Sequence, residues 1–153
     1  MVQAFTILRK KYLWSAELYL AGAKESDIRD ALRERQIRVE EVDWQKIHLL
    51  GDLGSEKLTD YYNLCDVFCM SYFEAYGLVF AEALTYGLPC IGRDKFAMSE
   101  FIEDGCTGRL ISGEDAEELA LDLWEVLRDP KYREEVERRR EWYLREYSWD
   151  KVA

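Results

Sequence analysis

Between Ala16 and Ile111, short apolar runs alternate with amphipathic stretches of helical period. That alternation leaves few architectures open, because parallel strands need long crossover connections and helices supply them. AELYLAG (16–22), KIHLLG (46–51), DVFCMS (66–71), LPCIG (88–92) and GRLI (108–111) read as five strands. The stretch 25–36 carries Ile28, Ala31 and Leu32 at helical spacing and reads as the first crossover. Ser55, followed by Leu58, Tyr61 and Tyr62, predicts a serine-capped helix. Leu78 to Tyr86 predicts an apolar helix closed by Gly87. Beyond Ser112 the pattern is purely helical, two helices between Glu114 and Glu146 divided at Asp129-Pro130. Tyr132, Val136, Trp142, Tyr143 and Tyr147 read as the packing stripe of the second. These elements predict one α/β domain over residues 1–153. VQAFTILRKKYL has a helical pattern with Phe5 and Leu8 on one side where such domains usually open with a strand, so the expectation is that the chain begins part-way through a domain.

Charge narrows the class. Lys plus Arg total 21 and Asp plus Glu 31, a net charge of −10, which would repel a polyphosphate backbone or an anionic membrane. Asp66 and Glu82 interrupt the longest apolar stretches, so no run reaches bilayer length. The first residues place basic groups after apolar ones, the reverse of a secretory signal, and the expected location is cytoplasmic. Cys65, Cys69, Cys90 and Cys106 read as reduced thiols packed as small hydrophobes. With His48 as the only histidine, a Cys/His metal site lacks ligands, and no metal is expected.

Chemistry concentrates between Asp66 and Gly92. A strand runs into a glycine turn and a helix starts at once, leaving the first-turn amides around Gly77, Leu78 and Val79 without intrahelical acceptors. At the carboxyl edge of a parallel sheet, those amides and the helix dipole make an anion site suited to phosphate. Gly77 allows close backbone approach. Glu74 lies in the turn and Glu82 about one helical turn past Leu78, so the two acids do not share a helix face. Glu82 stands in the apolar run LVFAEALTYG and needs hydrogen-bond donors. A ligand diol would supply two; capping nearby backbone or reaching solvent is the alternative, and the residues alone leave both open. Tyr72, Phe73 and Tyr76 read as core aromatics rather than stacking platforms.

Ser71-x-x-Glu74-Ala75-Tyr76-Gly77-Leu78, then Glu82-Ala83, then Gly87-x-Pro89 resembles the E-x7-E signature of retaining GT-B glycosyltransferases of family 4, relatives of glycogen synthase and sucrose synthase. Glu100-x-x-x-Asp104-Gly105-x-Thr107-Gly108-x-Leu110 resembles that family's E-x3-DG-x-TG-x-L segment. Leu50-Gly51, Asp66-Val67-Phe68 and the YSWDKVA ending resemble further family segments. The resemblance implies a Rossmann-like parallel sheet flanked by helices, the C-terminal, donor-nucleotide-binding half of a GT-B fold. It implies that Glu82 holds the ribose hydroxyls, Glu74 contacts the donor sugar, and the amides of Gly77, Leu78 and Val79 hold the diphosphate. The implied activity is hexosyl transfer from a UDP-, GDP- or ADP-sugar in carbohydrate biosynthesis, with the nucleotide sugar as substrate and no cofactor.

The sequence also departs from the family. Phe96-Ala97 stands where a glycine pair is common, and the family's first strand, with its G-R-x-x-x-K phosphate-binding basic residues, has no counterpart. The N-terminal acceptor domain is missing as well, so the isolated chain is expected to be inactive. A sheet edge left open by a missing strand predicts a pairing hazard and a homodimer through it. Two other readings stand beside this one: a noncatalytic nucleotide-binding or interaction module, and a glycoside hydrolase using Glu74 and Glu82 as its carboxylate pair.

Overall fold

The computed structural model describes residues 1–72, 76–95 and 97–147, with Ser55 described in its backbone only. The helices are α1 (Val2–Lys11), α2 (Glu25–Glu34), α3 (Ser55–Leu64), α4 (Leu78–Thr85), α5 (Met98–Phe101), α6 (Ala116–Arg128) and α7 (Lys131–Glu146). The strands are β1 (Leu18–Ala21), β2 (Ile47–Gly51), β3 (Phe68–Cys69), β4 (Cys90–Arg93) and β5 (Gly108–Ile111). Short 3-10 turns at Val39–Glu41 and Trp44–Lys46 lead into β2. All strand pairs are parallel, as the crossover pattern requires. The sheet is nevertheless divided: β1 pairs with β2, and β3–β4–β5 form a separate three-stranded sheet.

Helices cover both faces. On one, Phe5 and Leu8 of α1 and Leu119, Leu123 and Val126 of α6 join Leu32 and Ile91 in one buried cluster. On the other, Phe80 and Leu84 of α4 pack with Tyr62, Met98, Val136 and Tyr143. Burying a side chain of this size is worth ~1.5–3 kcal/mol, so these clusters hold the layers together. In the predicted stripe of α7, Tyr132, Val136 and Tyr143 are buried, whereas Trp142 stays 47% exposed, turned edge-on to Tyr143 and Tyr147.

Local chemistry explains the ends. Gly54 occupies the cap position of α3 and Ser55 is its first helical residue, one place on from the serine cap the sequence suggested. Asp115 caps α6, its carboxylate accepting from the Glu117 and Glu118 amides. Gly87 ends α4 at φ +80°; the Gly87 amide bonds to the Leu84 carbonyl and the Leu88 amide to the Ala83 carbonyl, the Schellman pattern expected of a terminal glycine.

Candidate functional site

β3 ends at Cys69 and α4 begins at Leu78, directly after Gly77. Gly77 caps α4 in the left-handed region at φ +71°, a conformation that costs a residue with a Cβ. Its tightness has a second cause. A Cβ there would come within 2.4 Å of the Phe101 ring and 3.2 Å of the Ala97 Cβ, so the bend rests directly on α5. The first bonds of α4 run from the Phe80 and Ala81 amides to the Gly77 carbonyl, 2.9 and 3.2 Å. The amides of Leu78 and Val79 therefore precede the helical ladder, the arrangement that favours an anion.

Glu82, one turn further on, is half-buried and leans toward α3, where its Oε2 accepts a 3.3 Å bond from the Tyr62 hydroxyl. Burial, then the Glu82 carboxylate, pushes the Tyr62 hydroxyl well above its ordinary range, so it stays a donor at physiological pH. Tyr62 is itself stacked on Tyr86 and edge-on to Phe68. The carboxylate thus has a protein donor, and its burial alone does not demand a ligand. Glu74 lies outside the described residues, as does Phe73.

Tyr72 and Tyr76 depart from the sequence expectation. Rather than joining the core, they are 82% and 78% exposed. Leu78, the first residue of α4, is also 45% exposed.

Arg93, at the carboxyl end of β4, was passed over by sequence reasoning. Its Nε donates to the Ser71 carbonyl at 2.9 Å and its other arm pairs with Glu114 at 3.0 Å, tying the start of the bend to the β5–α6 loop. A basic residue ending a parallel strand, where ligands settle, was the available signal. The Glu100–Leu110 segment, by contrast, is explained by structure. Asp104 accepts from the Leu110 amide at 2.9 Å, and buried Thr107 accepts from the Glu103 amide at 2.9 Å, so the motif builds the turn into β5.

Other ionisable groups lie apart from the bend. Burial pushes the Cys69 thiol up to about 12, the Cys90 thiol well up, and those of Cys65 and Cys106 up as well, so none is a ready nucleophile. No group of His, Cys, Asp and Glu among the described residues could hold a metal ion, and no helix among them is long and apolar enough to cross a membrane. The Arg109 guanidinium is shared by Asp122 (3.2 Å), Glu125 (2.8 Å) and Asp104 (3.3 Å). Burial, opposed by Arg109, raises the Asp122 carboxyl to about 6.

Residues 1–141 match the protein family described as "Glycosyl transferases group 1". A D-inositol 3-phosphate glycosyltransferase of Kribbella flavida is 30% identical over 97 residues, 63% of this chain and 23% of that protein. Among solved structures, sucrose-phosphate synthase from Thermosynechococcus elongatus superimposes with a TM-score of 0.75 at 21% identity, covering 99% of this chain and 39% of that one. The pneumococcal O-GlcNAc transferase GtfA, crystallised with UDP and GlcNAc, gives 0.71 at 24% identity, covering 99% and 31%. The chain therefore spans a minor part of each of these proteins and shares the Rossmann-like fold of such chains.

Proposed function

This chain belongs to the group 1 glycosyl transferases, and on that premise we propose that it holds the nucleotide-sugar donor in retaining transfer of a hexosyl group. The reading rests on one observation: the amides of Leu78 and Val79 precede the first hydrogen bonds of α4, directly after the left-handed Gly77 and next in sequence to exposed Tyr76. A diphosphate bound there meets fixed N–H donors. Charge grows on it as the glycosidic bond breaks, so these donors bind the transition state more tightly than the ground state.

In this reading Glu82 accepts from the ribose hydroxyls with the capacity left after Tyr62, and Glu74 contacts the donor sugar. Arg93, tied to the first residue of the bend, is the cation that fixes its position. Tyr72 and Tyr76 offer exposed faces to the base or sugar. The acceptor half of the reaction belongs to polypeptide beyond these residues, so the chain alone binds donor without turnover. Relatives bearing names such as D-inositol 3-phosphate glycosyltransferase support the reaction class; the base and sugar are left to the test.

Isothermal titration of the folded chain with UDP, GDP and ADP checks the proposal. The expected result is saturable millimolar binding of one of them, weakened roughly tenfold, or about 1.4 kcal/mol, by Glu82→Ala. Absence of saturable binding to all three by a folded sample defeats it.

A further inference from the structure

Two side-chain rungs join α3 to α4. Thr59 and Tyr62 share one face of α3, and Glu82 and Tyr86 share one face of α4, each pair at helical spacing. The Thr59 and Tyr86 hydroxyls meet at 3.3 Å, and the Tyr62 hydroxyl donates to Glu82 Oε2 at 3.3 Å. Between the rungs the Tyr62 and Tyr86 rings stack, 5.3 Å apart at 22°.

The Tyr62 ring has little room to turn. It is 5% exposed, lies edge-on to Phe68 at 6.0 Å and belongs to the buried cluster of Phe80 and Leu84. Phe68 stands edge-on to Phe80 in turn, so β3 and α4 together fix the seat of the ring. A phenylalanine would fill the same space. The hydroxyl is the one atom that packing does not explain, and its partner is Glu82.

The backbone of Glu82 is equally settled, its carbonyl accepting from the Thr85 hydroxyl at 2.7 Å and the Tyr86 amide at 3.3 Å. Its side chain is long and rotatable, and a ligand that had to immobilise it would bind more weakly for doing so. With Oε2 held by Tyr62, that ordering is complete before a ligand arrives. A carboxylate accepts about four hydrogen bonds, and among the described residues none reaches Oε1. The capacity left is enough for both donors of a diol.

We propose that Tyr62 is a positioning residue whose hydroxyl, fixed by the aromatic stack, holds the Glu82 carboxylate for the donor's ribose diol and so sets the preference for ribose over a pentose lacking those hydroxyls. This rests on the donor reading and adds to it the residue through which Glu82 becomes selective. Tyr62 acts through Glu82 and touches no ligand itself. A site built to pair with hydroxyls discriminates against an analogue without them, and it does so only while its acceptor is held in place.

The test titrates the full chain, Glu82→Ala, Tyr62→Phe and Tyr86→Phe with UDP, GDP and ADP and with their 2′,3′-dideoxy counterparts. Binding is followed at the Leu78 and Val79 amide resonances, which report the phosphate end common to both sets. Tyr62→Phe keeps the ring and its stack, Tyr86→Phe removes the neighbouring hydroxyl from the same stack, and melting temperatures confirm that each variant is folded. The expected parent preference for the ribose form is about tenfold, and Glu82→Ala abolishes it. Tyr62→Phe cuts that preference to about twofold while its affinity for the dideoxy form stays within about twofold of the parent's, and Tyr86→Phe keeps the full preference. A Tyr62→Phe chain that retains the preference Glu82→Ala loses overturns the inference and leaves the donor reading standing. Equal loss in Tyr86→Phe also overturns it, because the effect then belongs to the α3–α4 contact as a whole. Binding by the parent with no ribose preference removes the Glu82 assignment and this inference together, while absence of any binding defeats the donor reading itself and this inference with it.

Discussion

β4 and β1 have different fates. Both are four residues long and parallel to their neighbours, β4 opening on Cys90 and Ile91 and β1 reading Leu-Tyr-Leu-Ala. Cys90 and Ile91 of β4 are fully buried, with β3 on one edge, β5 on the other and helices on both faces. Leu18 and Leu20 of β1 are no less apolar, yet they are only half-buried because, among the described residues, one edge of β1 has no strand beside it. Burial in this sheet follows from having two neighbours, and residue type alone does not deliver it.

Three predictions test that contrast, the first having the largest effect. Gly108 packs so tightly on β4 that a Cβ would lie 1.7 Å from the Cys90 carbonyl oxygen, a backbone atom that cannot swing aside. Gly108→Ala is expected to cost about 4 kcal/mol or more by denaturant titration, since the β4–β5 pairing itself must separate. A cost below about 1 kcal/mol would mean that this pairing is looser than the register implies.

Next comes a matched pair of truncations. Phe80→Ala, beneath β4, should cost ~3–5 kcal/mol, and Leu20→Ala, in half-buried β1, about 1 kcal/mol. Equal costs would break the comparison, showing that the unpaired edge of β1 is covered in solution.

The smallest effect is electrostatic. The folded Asp122 carboxyl titrates at about 6, above its unfolded value near 3.8, because burial outweighs the pull of Arg109, which Glu125 and Asp104 also share. A raised acid pKa means the folded state holds the proton more tightly, so its contribution is fully present below pH ~4. It is lost as pH rises to about 6, a change on the order of 2 kcal/mol. Asp122→Asn should flatten the stability curve over that window, measured as the difference from the parent chain; an unchanged slope would assign the pH dependence to other carboxylates.

Much of the fold was legible because its signals are local. Gly87 closes α4, the Asp129-Pro130 break divides α6 from α7, and GRLI forms β5 over the residues its pattern marks. Each depends on backbone chemistry within one turn. The start of α4 at Leu78 was legible for the same reason. Tyr72 and Tyr76 were misread as core because an aromatic after a strand carries no local sign of whether a helix layer lies above it. Arg93 was missed because its partners, Ser71 and Glu114, lie 22 and 21 residues away in sequence.

The order of strands and helices, the parallel class, the glycine bend and the family signature were set by the 153 residues, since periodicity and capping act over a few neighbours. Which strand lacks a partner, which aromatics stand in solvent and which donor meets Glu82 were decided by tertiary structure. Each depends on what a distant segment brings alongside, and the exposed or buried fate of a side chain is fixed when that neighbour arrives.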